Sequence, residues 1–388
     1  MNKFLFSPLG LHYLCSMLER NYQAFFALMR AGLWESRKLG VGIESTVDWG
    51  EVYRVANEQA VMGLIAAGME QVQEGLVTKA EALKFAGYAL QLEQRNRAMN
   101  EFVASLIDKL RGQGVNPVLV KGQGIAQCYE RPLWRACGDV DLLINPKEYD
   151  KAKELLTRLS SSAEEEDPIK LHIGYKVGLW EVELHGTLRT VIGRRIDRVV
   201  DAAQTDTFNN EHFRAWENGK TQVLIPSPDN DVIFIFSHIL QHFYKGGVGL
   251  RQACDWCRLL WCYRSEVNLH KLESRIRAMH IMGEWRAFTA LAVDWLGMSA
   301  DTIPFYSPSR RWSRKARRIM NMILKTGNFG HNADTSYQQK RPYLIRKTIS
   351  LWRHTSSTAN LFFIFPGASL RTWFLMLGTG LHRVAQGR

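Results

Sequence analysis

Gly138-Asp139-Val140-Asp141-Leu142-Leu143 sets two carboxylates two residues apart inside a short apolar run. In an extended strand, alternate side chains leave the backbone on the same side. Asp139 and Asp141 therefore project together, and Val140 and Leu142 face the other way. Carboxylates that close repel unless a cation lies between them. Hard oxygen donors at this spacing suit Mg2+ (or Mn2+), which also binds substrate phosphates. Asp-x-Asp alone is a weak motif and by itself fits an exposed edge strand better, where paired acids are harmless.

Two neighbouring stretches add context. Trp180-Glu181-Val182-Glu183-Leu184-His185 also alternates, so Glu181, Glu183 and His185 share a face. A third carboxylate, Glu183, would complete a two-metal site that activates a hydroxyl and stabilises leaving pyrophosphate. Upstream, a short apolar run ends in Lys121-Gly122-Gln123-Gly124. Glycines after a strand, leading into a helix, let backbone N–H groups approach a phosphate. Lys121 and Arg135 are the cations placed to meet a triphosphate. Their ordinary alternatives are a solvated lysine and a surface ion pair.

The elements that must hold these residues can be read from periodicity. Val115–Lys121, Asp139–Ile144, Leu171–Val177 and Trp180–Leu188 read as strands, and 125–129 and 147–159 as helices. The first hundred residues read as helical, with Asp48 as an N-cap and a long pattern stopped by Gly112 and Gly114. After Pro226-Ser227-Pro228, helical patterns cover 232–244, 249–263 and 269–296. Pro304 and Pro308 mark a linker. The fold class expected is α+β, a short mixed sheet with helices flanked by helical regions. The boundaries expected are 1–111 (helical), 112–225 (α/β core), 226–303 (helices on the core) and 304–388 (basic and helical).

In this order, Leu119-Val120-Lys121-Gly122, then Tyr129, Pro132 and Arg135, then the Asp139 motif, then Val182-Glu183-Leu184-His185, resemble the uncharacterised bacterial nucleotidyltransferase family. That family belongs to the polymerase-beta-like superfamily. The resemblance covers roughly residues 45–265, including the helical flank with Arg251 and Asp255. It implies a polymerase-beta-like core and transfer of a nucleotidyl group from an NTP to an acceptor hydroxyl. The acceptor could be a small molecule, a protein or RNA. Asp139, Asp141 and Glu183 would be the metal-binding and catalytic acids, and Lys121, Gly122, Gln123, Arg135, Arg251 and Asp255 the nucleotide-binding residues. The chain departs from the superfamily pattern at Gln123, where a Ser is usual, and in a slightly longer stretch from Gly124 to Gly138.

Composition narrows the classes. The chain has 388 residues, 46% hydrophobic, which supports a sizeable core and argues against disorder. Six scattered cysteines do not form a secreted disulfide framework, so a cytoplasmic location is expected. Lys3 and Phe4-Leu5-Phe6 imitate a signal peptide, but Pro8 and His12 interrupt it and no small-x-small site follows. No run of apolar residues is long enough for a transmembrane helix. Residues 310–388 carry 15 Lys or Arg against one acid, Asp334, which exceeds the whole chain's net charge of +12. An anionic partner for this segment, an RNA or a membrane surface, is therefore open. Its aromatic runs, 361–365 and 373–377, read first as a small core.

Weaker signals have plainer explanations. His238 and His242 share a helical face but lack an obvious third zinc ligand. Cys254-x2-Cys257 is a single pair where structural zinc needs two. Arg251, Asp255 and Arg258 are spaced for an in-helix salt bridge, with Arg251 and Asp255 lining the cleft. Two rival functions remain beside nucleotidyl transfer. One is an inactive binding module on the same scaffold, using its basic segment to bind RNA or an anionic surface. The other is a phosphohydrolase built on the same acids.

Overall fold

Apolar and acidic residues alternate along two central strands, and the sheet sorts them onto its two faces. The computed structural model describes residues 8–35, 46–72, 75–245, 247–328 and 361–385. Strands β1 (Val118–Val120), β2 (Asp139–Leu143), β3 (Ser162–Ala163), β4 (His172–Val177) and β5 (Trp180–His185) form one sheet in the order β1-β2-β5-β4-β3. β2 and β5 run parallel, and the other pairs are antiparallel. Val140, Leu142, Ile173, Tyr175, Val182 and Leu184 bury one face in a single apolar cluster. Asp139, Asp141, Glu183 and His185 occupy the other.

That cluster is closed by helices α4 (Lys79–Arg111) and α6 (Tyr149–Leu159). α4 starts at a capping box: Glu81 N–H donates to Thr78 Oγ1 at 3.2 Å, and Thr78 N–H to Glu81 Oε2 at 3.0 Å. Met99, Val103, Leu106 and Leu110 form its buried stripe against the sheet. Gly114, at φ +71, turns the chain toward β1.

The remaining helices build a second, larger core. They are α1 (Pro8–Trp34), α2 (Trp49–Glu58), α3 (Met62–Met69), α5 (Gly122–Ala126), α7 (Arg194–Asn209), α8 (Pro228–Lys245), α9 (Leu250–Cys262), α10 (Leu269–Met279), α11 (Met282–Asp294), α12 (Arg310–Thr326) and α13 (Pro366–Ala385). α1 and α3 cross so closely that a Cβ on Gly32 would lie 1.9 Å from Leu64 O, and one on Gly68 2.1 Å from Leu28 O. Helices from the two ends of the sequence share this core. Trp34 Nε1 donates to Leu296 O at 2.6 Å, and Gln59 Nε2 to Ile323 O at 3.0 Å. Phe236, Trp256, Trp285 and Phe288 fill its centre as edge-on and tilted aromatic pairs.

The α+β class, the small mixed sheet and the helical flanks are as expected, and several boundaries differ. The first strand spans three residues rather than seven. The following helix starts at Gly122, not Ile125, because Lys121 (φ 58) and Gly122 (φ 38) reverse the chain at once. The expected helix over 269–296 is two helices, broken at His280, which adopts the left-handed conformation (φ 59). Helix α7 and the hairpin β6 (Phe213–Asn218) and β7 (Thr221–Pro226) had no sequence expectation. Asp48 caps α2 as expected, accepting from Gly50 N–H at 2.9 Å. Among the described residues, no helix is long and apolar enough to cross a membrane. Residues 1–7, the start of the signal-like stretch, lie outside the described residues, as do 329–360 of the basic segment. Of its aromatic runs, Leu361, Ile364 and Phe365 are buried, and Phe362, Phe363 and Phe374 are exposed.

Candidate active site

Strand register brings the acids together. Asp141 pairs with Glu183 across the parallel β2–β5 ladder, and Leu143 with His185. Across the antiparallel β4–β5 ladder, His185 pairs with His172, and Glu183 with Gly174. Carboxylate oxygens of Asp139, Asp141 and Glu183 lie within 4.8 Å of one another. They form one wall of a cavity of about 390 Å3. Glu181 pairs with Asp139 in the same ladder, on the face expected, and its carboxylate meets Lys176 at 2.9 Å rather than joining the cluster.

A lysine and a histidine meet one oxygen of Asp141. Lys121 Nζ is 2.7 Å from Asp141 Oδ1, and His185 Nε2 is 2.8 Å from the same atom. Asp141 itself is 2% exposed, so these partners offset a desolvated charge. The Asp139 carboxyl is pushed above its ordinary value, chiefly by the Asp141 charge, then by burial. Burial alone would raise Glu183 too, but hydrogen bonds from His172 and His185 hold it far below the usual range. His185 is lowered by burial and by Lys121, yet its bonds to Asp141 and Glu183 carry it above its ordinary value on balance.

Opposite the acids stands one face of α8. Phe234, Ile235, His238, Ile239 and His242 line the cavity at helical spacing. The two imidazoles lie 3.1 Å apart at Nε2. Burial holds both below the ordinary histidine value, His242 at about 4.

The stretch between α5 and β2 is pinned from several sides. Asn96, buried inside α4, donates to Leu133 O at 2.7 Å and Arg135 O at 2.8 Å. Gln123 Nε2 donates to Asn96 Oδ1 at 3.1 Å. Arg251 Nη1 donates to Ala136 O at 2.7 Å. Arg135 grips Asp255 through Nε at 3.0 Å and Nη2 at 2.6 Å, and Tyr129 donates to Asp255 Oδ1 at 2.8 Å. These contacts fix where the chain enters β2, and hence where Asp139 sits.

With this geometry in view, the comparisons decide the family. The family described as "Uncharacterised nucleotidyltransferase" matches residues 45–297, more than half of the chain. The chain belongs to this nucleotidyltransferase family. An antigenic nucleotidyltransferase-like protein from Paracoccidioides brasiliensis is similar at 14% identity, over 52% of this chain and 92% of its own, with a TM-score of 0.32. That likeness is too distant to carry an argument. No curated protein matches the chain.

Within this member of the nucleotidyltransferase family, the expected nucleotide-binding residues fall into two groups. Lys121, Gly122, Arg135, Arg251 and Asp255 line the cavity, and Gln123 does not. Gln123 is 2% exposed, with its amide spent on Asn96. Arg135 is no surface ion pair: it is buried against Asp255, and its Nη1 has no partner within the described residues. Asp255 and Arg258 do not pair along their helix as the spacing suggested. Asp255 bonds Arg135 and Tyr129, and Arg258 reaches Glu130 and Cys128 O. Cys254 and Cys257 are buried and free. No third ligand joins His238 and His242 among the described residues.

Sequence reasoning noted His185 on the acidic face but gave it no role, and it missed His172. Only pairing β4 against β5 puts His172 beside His185. A search for strands with Asp, Glu or His on one face would have found both.

Proposed function

We propose that this chain transfers a nucleotidyl group from an NTP to an acceptor hydroxyl and releases pyrophosphate. The observation that carries this reading is the convergence of Asp139, Asp141 and Glu183 within 4.8 Å at the wall of a cavity, in a chain of a nucleotidyltransferase family. The donor set is all carboxylate oxygen, and two of its members cannot easily ionise together, which fits a divalent cation such as Mg2+ or Mn2+. When bound, such a cation supplies Lewis acidity toward the phosphates and the acceptor hydroxyl.

The chain's own residues have separable tasks. Asp139, Asp141 and Glu183 would hold the cation. Glu183, kept ionised by its two histidines, is better suited to ligation than to taking a proton. Lys121 stands beside the acids, where a triphosphate would bring negative charge. Arg135, held by Asp255 in the cavity lining, keeps a positive charge near where a triphosphate would sit. The α8 face offers apolar and imidazole surface for a base or an acceptor.

Incubating the full chain with labelled ATP, CTP, GTP or UTP, Mg2+ or Mn2+ and candidate acceptors tests this. Label transfer with pyrophosphate release is expected, and equal transfer by an Asp139→Ala, Asp141→Ala double variant would sink it. Free phosphate without pyrophosphate would point to hydrolysis instead.

One observation favours a second reading, an inactive binding module. Lys121 already brings positive charge to Asp141, and His185 occupies the same oxygen. The basic α12 and neighbouring segment would then supply affinity for RNA or an anionic surface. Calorimetry separates the two: metal-dependent NTP binding supports the enzyme, and salt-sensitive RNA or lipid binding without it supports the module.

A further inference from the structure

His172 and His185 face each other across the β4–β5 register and direct their Nε2 atoms at one oxygen of Glu183. His172 Nε2 is 3.2 Å from Glu183 Oε2, and His185 Nε2 is 3.3 Å from it. The three donor atoms lie within 4.8 Å of one another, and the ring centroids are 4.8 Å apart. A charge-assisted N–H···O bond is shorter, about 2.7–2.9 Å. Donor atoms that share one tetrahedral ion at bond lengths of roughly 2.0–2.1 Å are spaced about 3.3 Å apart. The contacts that keep Glu183 ionised are thus long for charge-assisted hydrogen bonds, and their lengths equal a coordination edge.

From this we infer that His172, Glu183 and His185 form a second cation site, for a divalent transition metal of the Zn2+ class. It adjoins the oxygen set of Asp139, Asp141 and Glu183 and shares Glu183 with it, so the inference meets the proposed function only at that carboxylate. The donors differ in kind. Imidazole nitrogens suit Zn2+, Co2+ or Fe2+, and carboxylates alone suit Mg2+. All three residues are held on paired strands, and His172 and Glu183 are part-exposed at the cavity wall, which gives an ion its way in. Coordination at His185 uses the nitrogen that now contacts Asp141 Oδ1 at 2.8 Å. Filling this site therefore withdraws one of the two contacts on Asp141 Oδ1 and leaves the one from Lys121.

The test uses the full chain, stripped of metal and titrated with Co2+ without nucleotide. The visible absorption of Co2+ reports nitrogen ligation, and Zn2+ displacement gives affinity. About one equivalent of Co2+ is expected to give a visible band in wild type. His172→Ala and the milder His172→Gln should weaken it at least roughly tenfold, and Asp139→Asn should keep it. Mn2+ binding, followed by spin resonance, should show the reverse dependence. No band in wild type, or a band untouched by both His172 variants, overturns the second site. Loss of Mn2+ binding or of nucleotidyl transfer is read separately, so the failure of one proposal is not mistaken for that of the other.

Discussion

Asp141 and Glu183 are direct partners in a parallel strand pair. Their carboxylates leave the sheet on the same side because the backbone register makes them do so. A slip of one residue would send every acid to the apolar face, where Val140, Leu142, Val182 and Leu184 now fill a core. The packing that stabilises the sheet therefore also concentrates the negative charge.

That concentration should cost stability when no cation is present. Asp139 is held above its ordinary value mainly by Asp141, so its ionised form is disfavoured in the fold. Asp139→Asn removes the conflict and should stabilise the EDTA-treated protein by about 0.5–2 kcal/mol. Mg2+ should raise the melting temperature of wild type more than that of the variant. Melting curves with and without Mg2+ check both, and a variant less stable than wild type in EDTA would contradict the account.

The Arg135–Asp255 pair should behave as a buried structural clamp. Both side chains are under a tenth exposed, and two hydrogen bonds join them. Removing one partner strands the other, so Asp255→Ala should cost roughly 3–5 kcal/mol in urea unfolding. Arg135→Lys keeps the charge but loses the bidentate fork, and should also destabilise. A loss below about 0.5 kcal/mol for Asp255→Ala would mean the clamp is not formed.

Gln123 invites a different test, since a Ser is usual there in the superfamily that the motif resembles. Its amide reaches Asn96, which in turn holds the carbonyls of Leu133 and Arg135. Gln123→Ser should lose about 1 kcal/mol of stability. Asn96→Leu should lose more, because the part-buried carbonyl of Leu133 and the buried one of Arg135 both lose their donor. If Gln123→Ser instead leaves stability unchanged and tightens NTP binding, residue 123 faces substrate rather than the core. Equilibrium unfolding and calorimetry on the same preparations distinguish these outcomes.

Much of the site was legible because strand alternation is a local rule. Asp139, Asp141 and Glu183 could be aligned from two six-residue stretches. Arg135 and Asp255 were picked out and both line the cavity, but their pairing with each other was not legible, because the two lie 120 residues apart in sequence. His172 was invisible for the same reason: its significance arises only from cross-strand pairing. The helix over 269–296 misled because nothing in its pattern announces that His280 takes a left-handed turn. Shared packing between the first helices and the last was likewise beyond reach, since an apolar face does not name what covers it.

The paired histidines of α8 predict an acid-sensitive fold. Buried beside each other and near Lys121, His238 and His242 both resist protonation, with only Glu183 pulling the other way. His242 ordinarily titrates near 6.5, and here it does so at about 4. Above the ordinary value both states are neutral, and the pair has no pH effect. Between 6.5 and about 4 the unfolded chain takes up a proton that the folded chain refuses, so stability falls as the pH falls. For His242 this amounts to about 1–2 kcal/mol by roughly pH 5. Asp139 works in the opposite direction, since its raised carboxyl gains a proton more readily in the folded state. Urea unfolding at several pH values, for wild type and His242→Leu, separates the two contributions. The variant should lose less stability on acidification, and two curves that stay parallel from neutral to acid pH would show that His242 is not held neutral by its surroundings.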